Sequence, residues 1–171
     1  TDEVGVAGFV IDATDRVRPA DEQRGIEIEV EAPPARLTVV GDRRQLVSAT
    51  YNLLENAVKY NQAGGKVEIA LEAGDGHREI PETPTAAAAA VAPMATIEVR
   101  DTGIGIPGSA LPRIFERFYR VDQGRAREEG GTGLGLAIVK HVAQAHQGRV
   151  EVESELGKGS KFRVLLPLQR D

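Results

Sequence analysis

The best-punctuated stretch of this chain, Arg43 to Tyr60, limits what the rest can fold into. Asp42 precedes it as a helix N-cap, Gln45 follows three residues on in capping-box spacing, and the glycines of "NQAGG" close it with a turn. Leu46, Leu53, Leu54, Ala57 and Val58 recur at helical spacing along it. On both sides the period changes to two. "GIEIEVEAPP" alternates Ile26, Ile28 and Val30 with acids and stops at Pro33-Pro34, and "RLTVVGD", "KVEIALEA" and "ATIEVRD" read as further strands. Upstream, Val6, Phe9, Val10, Ala13 and Val17 predict a helix over 3–23, with Pro19 a complication in its later part. Downstream, "SALPRIFERFYR" predicts a short helix with Phe115 and Phe118 paired in the core. "LGLAIVKHVAQAHQG" predicts a longer helix carrying Leu136, Val139, Val142, Ala143 and His146 on one face, with Gly148 as its stop. "RVEVES" and "SKFRVLLPL" form a last hairpin around "ELGKG". This order predicts an α+β fold, helices packed on one face of a mixed sheet.

Composition narrows the function classes. A chain of 171 residues is one domain, and only 4% of it is aromatic, so the core must be built from Leu, Ile, Val and Ala. A net charge of −5 argues against nucleic acid as a partner. With no cysteine, thiol chemistry and zinc-thiolate sites are excluded. No apolar run reaches the roughly 18 residues of a membrane span, and no signal peptide opens the chain. His77, His141 and His146 have no metal-ligand spacing with partners. Residues 74–95, with three prolines and the alanine run Ala86–Ala90, are expected to be a mobile surface insertion.

Three stretches carry chemistry. Gln45, Ser48, Asn52, Asn56 and Lys59 fall on one stripe of the Arg43–Tyr60 helix. That stripe is either a solvent face or a ligand face. Mid-helix asparagines cost propensity, an amide oxygen suits Mg²⁺, and a lysine one turn on suits phosphate. In "GGTGLGLAIVK", four glycines run into a helix start, where bare N–H groups and the helix dipole favour a phosphate over a plain flexible turn. "VRDTGIGIPG" has the G-x-G-x-x-G spacing of a dinucleotide loop, but Pro107 and Pro112 delay the helix that such a loop must open. What remains is Asp101 at a strand end before close-approach glycines: an ordinary Asp-Thr-Gly turn, or a carboxylate placed to accept from an adenine amino group.

Taken in order, these pieces resemble the catalytic ATP-binding domain of bacterial two-component sensor histidine kinases, within the superfamily that includes gyrase, Hsp90 and MutL. "NLLENAVKYN" resembles the N box, "DTGIGIP" the first glycine box, "IFERFYR" the F box, "GGTGLGLAIVK" the second glycine box and "GKGS" the third, small one. The resemblance runs from about Gly25 to Pro167. It implies a two-layer α/β sandwich (the Bergerat fold), a mixed sheet of about five strands under three helices. It implies ATP and Mg²⁺ as ligands. Asn56 would be the Mg²⁺ ligand with Asn52 beside it, Lys59 would approach phosphate, and Tyr60 would pack by the base or ribose. Asp101 would read the adenine amino group in a wall shaped by Gly103, Ile104 and Gly105. Gly131, Thr132, Gly133, Leu134, Gly135 and Leu136 would hold the phosphate side, and Arg120, with Arg117, would meet the β/γ-phosphates. Residues 119–131 would be the ATP lid, residues 1–24 a connector helix, and residues 25–171 the catalytic domain. "HQG" at 146–148 stands where the family often has His-Gly-Gly.

No motif like Ser-His-Glu-Leu-Arg-Thr-Pro occurs, so the resemblance implies a kinase fragment whose phosphoacceptor histidine lies on a separate dimerisation hairpin of the same parent. A cognate response regulator would take the phosphate onward. The fragment would be monomeric and cytoplasmic, the parent a homodimer anchored in the membrane. Hydrolysing clamp ATPases carry a glutamate four residues before the ligand asparagine. Here that position is Asn52, an amide that cannot take a proton, and Glu55 points elsewhere on the helix. Anti-sigma-type Ser/Thr kinases lack an F box, and a degenerate module would not keep Asn56, Lys59, Asp101 and the glycine boxes together.

Overall fold

The computed structural model describes residues 1–31, 36–74, 93–120 and 133–169. Along the chain run β1 (Asp2–Gly5), α1 (Val6–Arg24), β2 (Glu27–Val30), β3 (Thr38–Gly41), α2 (Arg43–Lys59), β4 (Lys66–Gly74) and β5 (Met94–Asp101). A 3-10 turn (Leu111–Arg113), α3 (Gly135–Ala145), β6 (Arg149–Glu155) and β7 (Gly159–Pro167) follow. The main sheet has five strands in the order β2-β4-β5-β7-β6. The β2–β4 pair is parallel and the others are antiparallel, so the sheet is mixed.

Strand alternation explains the layers. Val67, Ile69 and Leu71 of β4, Ile97 and Val99 of β5, and Phe162, Val164 and Leu166 of β7 are buried in a single core. That core also takes Phe9, Val10 and Ala13 of α1, Leu53, Leu54 and Val58 of α2, and Val139 and Ala143 of α3. Residues between them on the strands carry ion pairs: Lys66 with Glu29 at 3.1 Å, Arg163 with Glu98 at 3.2 Å, and Lys161 with Glu153 at 3.2 Å. Such partly exposed pairs contribute about 0–1 kcal/mol each, so the fold rests on the helix-covered face.

The structure corrects several expectations. The first helix starts at Val6, not residue 3, because Asp2–Gly5 pairs antiparallel with β3, from Asp2↔Gly41 to Gly5↔Thr38. Pro19 lies inside α1 without ending it. Within residues 1–24, Val4, Val6, Phe9, Val10, Ala13 and Val17 are buried in the common core. Of the expected insertion, 74–95, Gly74 pairs with Met94 and Ala95 with Ala73, and 75–92 lie outside the described residues. The helix expected over "SALPRIFERFYR" is only the 3-10 turn followed by turns. Its two phenylalanines part company. Phe115 meets Phe162 edge to face at 6.3 Å between centroids, whereas Phe118, with φ +65°, is 71% exposed.

The end of α3 also differs. Gln147, not Gly148, takes the left-handed position, with φ +61°. Gly148 is needed for closeness, since a Cβ there would lie 2.0 Å from the Leu165 carbonyl oxygen. Left-handed backbone costs a non-glycine residue about 1 kcal/mol or more. Gln147→Gly is therefore expected to stabilise the fold by about 1 kcal/mol. Urea denaturation with an unchanged m-value checks it, and a loss of stability would contradict the strain.

Candidate functional site

The polar stripe of α2 starts at an exposed cap. Asp42 Oδ1 caps the helix by accepting from Arg44 N–H at 2.9 Å and Gln45 N–H at 3.3 Å. Beyond that exposed start, Ser48, Asn52, Asn56 and Lys59 are all half-buried. Asn52 donates its amide to the Ser48 carbonyl at 2.9 Å, which turns Oδ1 toward the start of α3. A Cβ on Gly135 would lie 3.1 Å from that oxygen. The Asn56 amide makes no hydrogen bond among the described residues. The Lys59 ammonium sits 5.6 Å from the centre of the Tyr60 ring.

At its other end α2 meets the loop after β5. Ile104 N–H donates to the Tyr60 carbonyl at 3.1 Å, and Gly157 N–H donates to the Ile104 carbonyl at 2.8 Å. The loop is thus stitched between α2 and the β6–β7 turn. Asp101, at the end of β5, accepts at Oδ1 from Gly103 N–H at 2.9 Å and Ser160 N–H at 3.2 Å. Its Oδ2 has no hydrogen bond among the described residues. Burial pushes the Asp101 carboxyl above its ordinary range, and those two backbone donors pull it back in part. A desolvated carboxylate with one oxygen tied and the other open is a strong acceptor for a ligand N–H.

At the start of α3, Leu134 supplies no side-chain cap oxygen. Phe118 N–H donates to the Gly133 carbonyl at 2.9 Å, tying the turns after Phe115 to this approach. Leu136 in the first turn is half-buried against the core. Gly131, Thr132 and the expected lid beyond Arg120 lie outside the described residues. Of the two candidate arginines, Arg120 is half-buried and Arg117 exposed, and neither has an acidic partner among the described residues. From Asn52 to Tyr60 the helix rises roughly 12 Å, so one stripe borders both the Asp101 loop and the start of α3.

Some contributors were not singled out from the sequence. Asn61, only 3% exposed, donates to the Lys66 carbonyl at 3.0 Å. Its Oδ1 accepts from Gln62 N–H at 2.8 Å and Thr102 Oγ1 at 3.1 Å. It thereby locks the end of α2 to the start of β4 and the end of β5. Ser160 closes the far side of Asp101, and Ser154 Oγ, 2.7 Å from Ser160 Oγ, accepts from Ile106 N–H at 2.8 Å. Asn61, Thr102 and Ser160 are the polar residues of "KYN", "DTG" and "GKGS", while nothing in "RVEVES" marks Ser154.

Residues 41–170 match the family model described as histidine kinase-, DNA gyrase B- and HSP90-like ATPase. The chain is 40% identical over 166 residues to the sensor-like histidine kinase SenX3 of Mycolicibacterium smegmatis, covering 97% of this chain and 38% of that protein. It is 43% identical over 139 residues to the phosphate regulon sensor protein PhoR of Pseudomonas aeruginosa, covering 81% of this chain and 27% of that protein. It therefore spans well under half the length of either relative. Among solved structures, the mycobacterial sensor histidine kinase MprB superposes with a TM-score of 0.74 at 29% identity, over 99% of both chains.

Proposed function

The chain belongs to the histidine kinase-, DNA gyrase B- and HSP90-like ATPase family and has the catalytic-domain fold of sensor histidine kinases, and from this we propose that it binds Mg-ATP and donates the γ-phosphoryl group to a histidine. One observation carries the reading: a single half-buried stripe of α2 runs from the Asp101 loop to the start of α3, with the Asn56 amide, unpartnered among the described residues, between them. Asp101 Oδ2 accepts from the adenine amino group, and Gly103, Ile104 and Gly105 wall the base. Tyr60 packs by the base or ribose, and Lys59 faces the phosphates. The first turn of α3, with Gly131 to Leu136, receives phosphate oxygens through backbone N–H groups.

The donor chemistry fits Mg²⁺. Asn56 and Asn52 offer neutral hard oxygens, and Mg²⁺ typically takes few protein ligands beside substrate phosphates and water. The ion would neutralise charge on the transferring phosphates. Arg120 and Arg117 reach the β/γ-phosphates when the hairpin domain docks. An imidazole nitrogen of that hairpin attacks the γ-phosphorus, the bond to the β–γ bridging oxygen breaks, and ADP leaves. Positioning and charge stabilisation suffice for such a step. Transfer is favoured over hydrolysis because Asn52 cannot accept a proton, and Glu55 is exposed beside the Tyr51 hydroxyl. The histidine hairpin and a response regulator are the partners this reading requires. No described helix is long and apolar enough to cross a membrane. A cytoplasmic position, in a membrane-anchored parent, is part of the proposal because ATP is supplied there.

Calorimetry with a non-hydrolysable ATP analogue tests the reading. The parent chain should bind, and Mg²⁺ should tighten binding about tenfold, or roughly 1.4 kcal/mol. Asn56→Ala should lose that gain and keep the Mg²⁺-free affinity. An equal Mg²⁺ gain in both proteins would remove Asn56 from the metal. In the same series, radiolabelled ATP should label an added histidine hairpin and not this chain alone.

A further inference from the structure

We propose that Arg24 is a positioning residue for the nucleotide site: from the end of α1 its guanidinium sets the turn of α2 on which the base-recognition loop is hung. The inference rests on the nucleotide reading above. A helix C-terminus leaves its last carbonyls without partners inside the helix. In α2 those carbonyls belong to the residues that border the Asp101 loop. Arg24 Nη2 donates to the Asn61 carbonyl at 2.7 Å, and Nη1 donates to the Lys59 carbonyl. The grip is reciprocal, because Gly64 N–H donates to the Arg24 carbonyl at 3.2 Å.

Between the two held carbonyls lies that of Tyr60, and it receives Ile104 N–H at 3.1 Å. Next to it the Asn61 side chain holds Thr102 Oγ1 at 3.1 Å, one residue after Asp101. Tyr60 and Asn61 therefore carry the loop, and one planar fork holds the carbonyls of Lys59 and Asn61 on either side of the Tyr60 carbonyl. A lysine keeps the positive charge at the helix C-terminus but not the fork that reaches two carbonyls in fixed geometry. A plain cap would affect only stability. A positioning residue also affects how well the loop recognises a base.

The test uses the full chain with Arg24→Ala and Arg24→Lys. Calorimetry measures adenosine diphosphate and inosine diphosphate, which differ at the group Asp101 would read, with and without Mg²⁺. Amide exchange at Ile104 is followed in the nucleotide-free protein. Arg24→Ala should weaken adenosine diphosphate binding about five- to tenfold and Arg24→Lys about two- to threefold, as expected for charge-assisted hydrogen bonds lost or bent. The preference for adenosine over inosine diphosphate should shrink, the Mg²⁺ gain should stay as in the parent, and the Ile104 amide should exchange faster. Binding within twofold of the parent by a folded Arg24→Ala, or an unchanged base preference with unchanged Ile104 exchange, overturns the proposal. If Arg24→Ala does not fold, Arg24→Lys decides by the same readouts. If the parent itself binds no nucleotide, the functional reading fails, and Ile104 exchange still decides whether Arg24 holds the loop.

Discussion

Asp101→Asn should cost adenine-nucleotide affinity roughly 100-fold and, at neutral pH, make the empty protein harder to unfold. The first effect follows from polarity. The open Oδ2 of a carboxylate only accepts, whereas an amide in its place presents N–H groups to the amino group of the base. The second follows from burial. The Asp101 carboxyl titrates above its ordinary range because burial outweighs the N–H groups of Gly103 and Ser160. A group raised in the folded state contributes stability below its unfolded pKa and loses that contribution as pH rises through the folded value. At neutral pH the ionised side chain is thus a net burden on the empty fold. Asparagine keeps an oxygen for both backbone donors and removes the charge. The stability gain should shrink as pH falls through the raised Asp101 value, because the parent then protonates and sheds the same burden. Parent affinity should fall over that window while the variant stays flat. Denaturation and calorimetry across pH check both, and a variant that binds within threefold of the parent at neutral pH would remove Asp101 from base recognition.

Gly105→Ala should be the most damaging single methyl in the loop. Gly105 has φ +74°, and a Cβ there would lie 2.1 Å from the Glu155 carbonyl oxygen. The left-handed backbone costs about 1–2 kcal/mol. The clash with a strand-end carbonyl is added to it, because neither partner is a flexible side-chain tip. A total of about 3 kcal/mol or more is expected, together with loss of nucleotide binding as the loop leaves the β6–β7 turn. Gly108→Ala is the control. Nothing lies within 4 Å of a Cβ there, and the change should stay within about 0.5 kcal/mol of the parent. Chemical denaturation of the two variants separates a loop that needs all three glycines of G-x-G-x-x-G from one that needs only the first two. Equal losses would restore the dinucleotide spacing as meaningful.

What the residues announced in advance was mostly periodic. Ile97 and Val99 alternate with Glu98 and Arg100, and β5 buries the first pair while its neighbours face the ion-paired side. The cap at Asp42 and the stripe through Asn52, Asn56 and Lys59 are visible because a helix brings residues three and four apart onto one face. Contacts between distant parts of the chain were not visible. Asp2–Gly5 is too short to announce itself as a strand without its partner Thr38–Gly41, and its Val4 reads equally well on a helix. Arg24 looks like any helix-end cation until Lys59 and Asn61 stand beside it, 35 and 37 residues away. Phe118 looks like core because aromatic side chains usually are, and only its φ of +65° turns it outward. The strand-end turn at Asp101 was legible as a motif. Its second backbone donor, Ser160, lies 59 residues on at the start of β7, after a turn that by itself signals only a hairpin.

The pairing of Asp101 with Ser160 closes the register between β5 and β7, the third and fourth strands of the five. Opening that end of the site means parting strands with neighbours on both sides, a fluctuation that belongs with cooperative unfolding of the whole body rather than with local fraying. A compound seated against Asp101 therefore stabilises the entire molecule against unfolding, by about 2.7 kcal/mol at a free concentration a hundred times its Kd. A simple melting curve becomes a sensitive screen for compounds that seat against Asp101, and the rigid wall they meet favours small, flat, preorganised scaffolds over flexible ones.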